Sequence, residues 1–258
     1  MEKVTCSEKT VLKGSGKKVA LLDLGAKNNI AKSLNQRGCE VTIYPASTTA
    51  EEILAANPDG IMLSNGPGDP KECTEVIKEI RKLYESDTPI FAICLGHQLM
   101  ALETGADTHK MKYGHRGGNH PVKDLETGRV YISSQNHGYV VDTDNLDPKV
   151  AVPAFINVND GTNEGLKYTG KNIFTVQFHP EAVLTEYGHE LLENFCRIAE
   201  REAVKNIEST PQERTQFWRS VLKQDLLNLV MAGKAAQAKE KVLDAVNSFR
   251  TQSQDRPR

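Results

Sequence analysis

The stretch PIFAICLGHQLMAL, residues 89–102, decides the fold. PIFAI (89–93) is a short continuous apolar run, the signature of a strand buried on both faces. The residues after Cys94 read as a helix from about Gly96 to Thr104. A cysteine on such a sharp strand-to-helix turn stands above the carboxyl edge of a parallel sheet. The turn packs the residues two before and two after it, so both must be small, and here they are Ala92 and Gly96.

The same alternation extends towards the N-terminus. VALLDL (19–24) is a buried strand, NIAKSLNQRG a helix closed by Gly38, and CEVTIY (39–44) the next strand. Thr49 and Glu52 form a capping box for a helix through EEILAAN. GIMLS (60–64) is a strand, NGPGDP a tight loop, and Asp69 caps a helix with Pro70 at its first position that runs to about Tyr84. Strand and helix alternating at this spacing predict right-handed crossovers and a parallel sheet.

Beyond Gly105 the texture changes. VYISS, YVVD, AFINVN, GLKY and IFTVQF are short β-rich stretches punctuated by glycine and asparagine, as in an antiparallel extension. A helix, HELLENFCRIAEREA, closes the unit near residue 203. The expected fold is therefore α/β: an open, mostly parallel sheet flanked by helices, a smaller antiparallel β extension and a C-terminal helical hairpin. Residues 1–16 form a polar, poorly ordered segment, 17–203 the main domain and 204–258 a helical tail. In that tail, Thr210 and Glu213 make a capping box. Apolar stripes at 218, 222, 226 and 229, then at 235, 238, 242, 245 and 249, give the hairpin one apolar face that folds back or docks a partner.

Composition narrows the functional classes. The 258 residues are 38% apolar and carry 32 Lys/Arg against 34 Asp/Glu, which argues against a nucleic-acid binder. That balance is an average. Residues 204–258 hold 10 basic and 6 acidic residues, and the first 203 hold 22 and 28. No apolar run is long enough to span a bilayer and the N-terminus lacks a signal-peptide core, so no membrane role and a cytoplasmic location are expected. Five cysteines with no CxxC pair suit a reducing compartment rather than a disulfide framework or zinc site. KGSGKK (13–18) fails the phosphate-loop pattern at Val11 and Lys18 and precedes its strand instead of following it.

Three segments carry chemistry. At the elbow, a helix N-terminus behind Cys94 favours the thiolate, and the Leu95 N–H is placed where an oxyanion would form. The alternative is a buried cysteine acting as a small hydrophobe, which suits Cys39, Cys73 and Cys196. FTVQFHPEA (174–182) puts His179 and Glu181 just past a strand end, a base and the carboxylate that would orient it. SNGPGDP (64–70) is a glycine-rich loop at the same sheet edge, whose N–H groups either face a ligand or only make a turn. His115 and His120 of GHRGGNHPV (114–122) lie five apart with no third ligand nearby, so no metal is expected. The segment reads as a loop shaping the site's rim or an intersubunit contact.

LSNGPGDP, ICLGHQ, GHRGGNHPV, SSQNHGY (133–139) and FHPEA occur in this order. Across residues 17–203 the chain resembles the class I (triad-type) glutamine amidotransferases, and within them the small subunits of glutamine-hydrolysing carbamoyl-phosphate synthetases. The resemblance implies that Cys94 attacks the glutamine side-chain amide, with His179 as base and acid and Glu181 orienting it. The N–H groups of Leu95 and Gly68 would form the oxyanion hole, and Gly66, Gln98, Asn136, Gly138 and Tyr139 would hold the glutamine. Ammonia would then pass to a large synthetase subunit, where ATP and Mg are expected. No cofactor is expected in this chain.

Three departures from the pattern stand out. The resemblance implies an additional N-terminal domain in the family's small subunit, and residues 1–16 are not expected to supply it. HPEA continues as VLTEYGHE rather than as a small-Pro-Gly-Pro turn. Residue 92 is Ala where Gly is commoner. The competing readings are a stand-alone γ-glutamyl hydrolase and a non-catalytic regulatory subunit.

Overall fold

The computed structural model describes residues 4–206. The expected hairpin at 207–258 lies outside the described residues. One compact unit runs through Ala203. In chain order its elements are β1 (Thr10–Leu12), β2 (Lys18–Asp23), α1 (Asn28–Gln36), β3 (Glu40–Pro45), α2 (Ala50–Ala55), β4 (Gly60–Leu63), α3 (Thr74–Glu85), β5 (Ile90–Ile93) and α4 (Leu95–Glu103). Then follow β6 (Asp107–Asp124), β7 (Val130–Asp142), β8 (Ala151–Asn157), β9 (Asn163–Tyr168), β10 (Ile173–Val176) and α5 (Gly188–Asn206).

All ten strands join one sheet in the order β1-β3-β2-β4-β5-β10-β9-β8-β6-β7. β3, β2, β4, β5 and β10 are parallel. The strands beyond β10 are antiparallel, as is β1. The parallel strands are apolar on both faces because helices cover both. Ala20 and Leu22 pack with Ile53 of α2, Ile80 and Leu83 of α3, and Leu99 of α4. Val19 and Leu21 pack on the other face with Ile30 and Leu34 of α1 and Leu192 and Phe195 of α5. Successive residues of β2 thus feed opposite cores, as the two-residue period of a strand requires.

The α/β architecture agrees with the sequence reading, and three local expectations are corrected. The N-terminal segment is not a loose leader: β1 pairs with β3, and the buried Asp23 carboxylate accepts from Cys6 N at 2.7 Å. The helix after Asp69 is broken. A 3-10 turn spans Pro70–Glu72, Cys73 leaves helical geometry, and α3 starts afresh at Thr74. GHRGGNHPV is not a loop but part of the 18-residue β6, paired with β7 across two register shifts. Gly114 (φ +72°) and Gly117 (φ +128°) supply the left-handed geometry that those irregularities demand. Among the described residues, no helix is long and apolar enough to cross a membrane.

Candidate active site

The parallel strands end at one edge of the sheet, and each hands over to a turn that carries polar groups. Lys27 follows β2, Asn65–Asp69 follow β4, Cys94 follows β5 and His179 follows β10. Cys94 has φ +53° and ψ −101°, a conformation costly for any residue with a Cβ. It is pinned from both sides. Its N–H donates to Val176 O at 2.8 Å, and the Gly96 N–H donates to Ser64 O at 3.1 Å. A Cβ on Gly96 would lie 2.7 Å from Leu63 O, which is why this position must be glycine. α4 begins directly after Cys94, so the helix's first-turn N–H groups, which helix geometry leaves without intrahelical partners, follow immediately on the nucleophile in the chain.

His179 is 2% exposed, and its Nδ1 lies 2.9 Å from Glu181 Oε1. Burial pulls the imidazole down, but its bonds to the Cys94 sulfur and to Glu181 outweigh that and push it up to about 9. Burial pushes Glu181 up, yet the contact with His179 and the charge of Lys27 bring its carboxyl below the usual range. Lys27 Nζ lies 3.6 Å from the same carboxylate oxygen, and the Lys27 N–H donates to Asn65 Oδ1. Thr185 holds the base from behind, donating to His179 O at 2.7 Å and accepting from Ser134 N at 3.0 Å. Neither Lys27 nor Thr185 was marked by the sequence reading. The only available signal for Lys27 was its place in the turn at the end of a parallel strand.

A cavity of about 480 Å³ opens over the thiol. Its lining includes Cys94, His179, Gly66, Gly68, Gln98, Asn136, Gly138 and Tyr139. Leu95 is 1% exposed and its side chain does not line the cavity; only its backbone could serve the site. Gln98 Nε2 donates to Tyr139 O and to Gln177 Oε1, both at 2.9 Å, so it ties α4 to β7 and keeps its own carbonyl free of these bonds. The Tyr139 hydroxyl bonds Asp69 across the mouth. Lys27, Lys110 and Arg116 add positive charge to the rim, suited to a carboxylate-bearing ligand. A largely apolar cleft of similar size, about 520 Å³, lies beside α5 between Phe91, Phe155 and Phe195, with no cysteine or histidine in its lining.

The two loop glycines differ in cause. A Cβ on Gly66 would sit 2.0 Å from Leu24 O, so close backbone packing excludes one. Gly68 has open space around it but φ +107°.

Beside the cavity, which His137 also lines, lies a buried polar cluster. The sequence reading found no third ligand near His115 and His120; the fold brings His137 and Glu164 to His115. His115 is held up to about 9, chiefly by its bond to Glu164, with Asp160 adding to this and burial opposing it. His137 is pushed down to about 4 by burial, against the bond to Tyr139 O.

These features meet in a recognised class. The profile of the glutamine amidotransferase class-I family matches residues 20–199, and the chain belongs to that family. Within it the sequence is similar to carbamoyl phosphate synthase small chains. It is 48% identical to that of Symbiobacterium thermophilum over 193 residues, 74% of this chain and 53% of the relative. It is 55% identical to that of Listeria monocytogenes serotype 4b over 169 residues, 66% of this chain and 46% of the relative. The chain thus spans about half the length of the curated relatives it matches. Solved structures share the fold. A Thermoplasma acidophilum protein, provisionally described as part of a GMP synthase, superposes with TM-score 0.66 at 24% identity over 75% of this chain and all of its own. A glutamine amidotransferase of Thermotoga maritima superposes with TM-score 0.53 at 18% identity over 72% of this chain and 97% of its own.

Proposed function

We propose that this chain hydrolyses the side-chain amide of glutamine and supplies the ammonia to a carbamoyl-phosphate synthetase large subunit. The observation that carries this reading is the strained Cys94 elbow with a buried His179–Glu181 pair behind it. Cys94 Sγ attacks the amide carbon, forming a C–S bond. The oxygen takes the negative charge towards the N–H groups of Leu95 and Gly68. Losing one such donor costs roughly 2.7–4 kcal/mol of transition-state stabilisation. His179 holds the thiol proton and gives it to the departing ammonia, and Glu181 stabilises the imidazolium meanwhile. Water, deprotonated by His179, then cleaves the γ-glutamyl thioester and restores the thiol.

Gly66, Gln98, Asn136, Gly138 and Tyr139 shape the glutamine site, and the positive rim suits its α-carboxylate. None of these steps asks for a cofactor in this chain. ATP and Mg belong to the carboxylation and phosphorylation steps on the partner.

The test is incubation with a glutamine-analogue electrophile followed by peptide mass spectrometry, together with glutaminase assays with and without a large subunit. A label at Cys94 and turnover that rises with the partner and vanishes in Cys94→Ala are expected. An unlabelled Cys94 with no turnover would leave a non-catalytic subunit. Turnover indifferent to the partner would leave a stand-alone γ-glutamyl hydrolase.

A further inference from the structure

The proposed chemistry makes no use of the polar cluster around His115, yet its donors converge on one buried point. His115 on β6, His137 on β7 and Glu164 on β9 are all buried, and their ligating atoms lie within 4.8 Å of one another. Each imidazole has one nitrogen committed outward. His115 Nε2 lies 2.8 Å from Asp160 Oδ2, and His137 Nδ1 lies 2.8 Å from Tyr139 O. Both of those partners are acceptors, so both of those nitrogens carry hydrogen. In the neutral rings, the lone pairs of His115 Nδ1 and His137 Nε2 then point inward.

Inward they meet oxygen. Gln135 Oε1 lies 2.9 Å from His115 Nδ1 and 2.8 Å from His137 Nε2, and Glu164 Oε1 lies 3.3 Å from His115 Nδ1. Glu164 is fully buried, and its Oε2 has no hydrogen-bond partner. Asn157 Nδ2 donates to Glu164 Oε1 at 3.0 Å, so the carboxylate is held in place while one oxygen stays open. Asn157 Nδ2 also reaches His115 Nδ1, at 3.5 Å, yet the open Glu164 oxygen and the Gln135 oxygen between the two imidazoles leave a buried negative charge that a cation at this point would satisfy. A proton on His115 relieves one side of the cluster only.

We infer that His115 Nδ1, His137 Nε2 and the Glu164 carboxylate bind a divalent transition-metal ion of the zinc type, with Gln135 Oε1 as the fourth donor. An ion with bonds of about 2.0–2.2 Å sets tetrahedral donors about 3.3–3.6 Å apart. The Glu164–His115 spacing of 3.3 Å already matches, and the Gln135 oxygen, at 2.8–2.9 Å from the two imidazoles, would have to move outward by about half an ångström. Two imidazoles and a carboxylate suit zinc better than the hard oxygen-seeking cations. Asp160 and Tyr139 O then serve as the outer partners that orient ligating histidines. With all four positions supplied by protein, the ion is structural. It ties β6, β7 and β9 together just where β6 loses register with β7. Gln135 and His137 alternate along β7 with Asn136 and Gly138, so the ion would hold that wall of the glutamine cavity in place.

The experiment uses the full chain carrying Cys94→Ala, so that the thiol–imidazole pair of the active site cannot capture metal. Chelator-treated protein is titrated with Zn²⁺ by calorimetry and its metal content measured, and Co²⁺ serves as a spectroscopic probe. One ion per chain is expected. Tetrahedral Co²⁺ d–d bands without thiolate charge transfer should accompany it, and Glu164→Gln should weaken binding at least about 100-fold. His137→Gln is the second variant should Glu164→Gln fail to fold. Zn²⁺ affinity unchanged in a folded variant, or thiolate charge-transfer bands from Cys39 and Cys196, whose sulfurs lie 3.7 Å apart, would overturn the assignment. Neither readout depends on glutamine turnover, so its failure is separable from failure of the proposed activity.

Discussion

Lys27 Nζ lies 3.6 Å from Glu181 Oε1, the same oxygen that partners His179 Nδ1. The first βα turn therefore reaches across the sheet edge to the carboxylate that orients the base. That turn is itself fixed by the Asp23 carboxylate, whose Oδ1 accepts from Gly25 N and Ala26 N. Lys27 is about half exposed, so solvent screens its charge and its contribution is modest. Lys27→Met should lower kcat/KM for glutamine by about three- to tenfold, a loss of roughly 0.6–1.4 kcal/mol. Steady-state glutaminase kinetics check this; an unchanged kcat/KM would remove Lys27 from the site's electrostatics.

The positive φ of Cys94 predicts a stability ordering among inactive variants. Both Cys94→Ala and Cys94→Gly lack the thiol and should lose about 10⁴-fold or more in turnover. They differ in the Cβ that φ +53° strains. Cys94→Gly should be more stable than Cys94→Ala by up to about 1 kcal/mol, despite the larger chain entropy of unfolded glycine. Equilibrium denaturation of the two variants measures the difference, and the reverse order would show that the turn is not strained.

Two glycines of the cavity should respond in opposite ways. A Cβ at Gly138 would meet only Arg116 Nη2, at 3.7 Å, and would otherwise project into space left for ligand. Gly138→Ala should keep its melting temperature within about 2 °C while raising KM for glutamine by roughly tenfold. Gly66→Ala has no such room beside Leu24 O and should cost about 3 kcal/mol or more of folding stability. Thermal unfolding combined with KM measurements separates the two cases.

The pH dependence of stability follows from His179. Its folded value is raised to about 9 by Cys94 and Glu181, the groups that face it, against the opposing effect of burial. A raised value means that the folded state binds the proton more tightly than the unfolded chain, whose histidine titrates near 6.5. The stabilisation is thus complete below about pH 6.5 and is lost as the pH rises towards 9. The stability difference between the wild type and His179→Gln should shrink across that window in urea titrations. A difference that grows with pH would contradict the assigned ion pair.

Much of the fold could be read from residues near one another in the chain. Continuous apolar runs marked β2, β4 and β5, because the middles of strands covered on both faces are largely apolar. Ala92 and Gly96 flanking Cys94 marked the elbow, and His-Pro-Glu after a strand end marked the base and its carboxylate. These are short-range constraints of period and size, and each lies within about ten residues of sequence.

What tertiary structure alone decided is how distant segments meet. Glycine content makes residues 114–122 read as a loop, whereas β7 provides the hydrogen bonds that keep them in a strand across register shifts. A polar N-terminus read as loose until β3 and Asp23 gave it partners. Lys27 gained its role only when the carboxyl ends of β2 and β10 came to the same edge. His115 gained neighbours only when β6, β7 and β9 converged. Periodicity and side-chain size are written locally, but hydrogen-bond partners and charge pairs depend on register and chain closure, which the folded sheet sets.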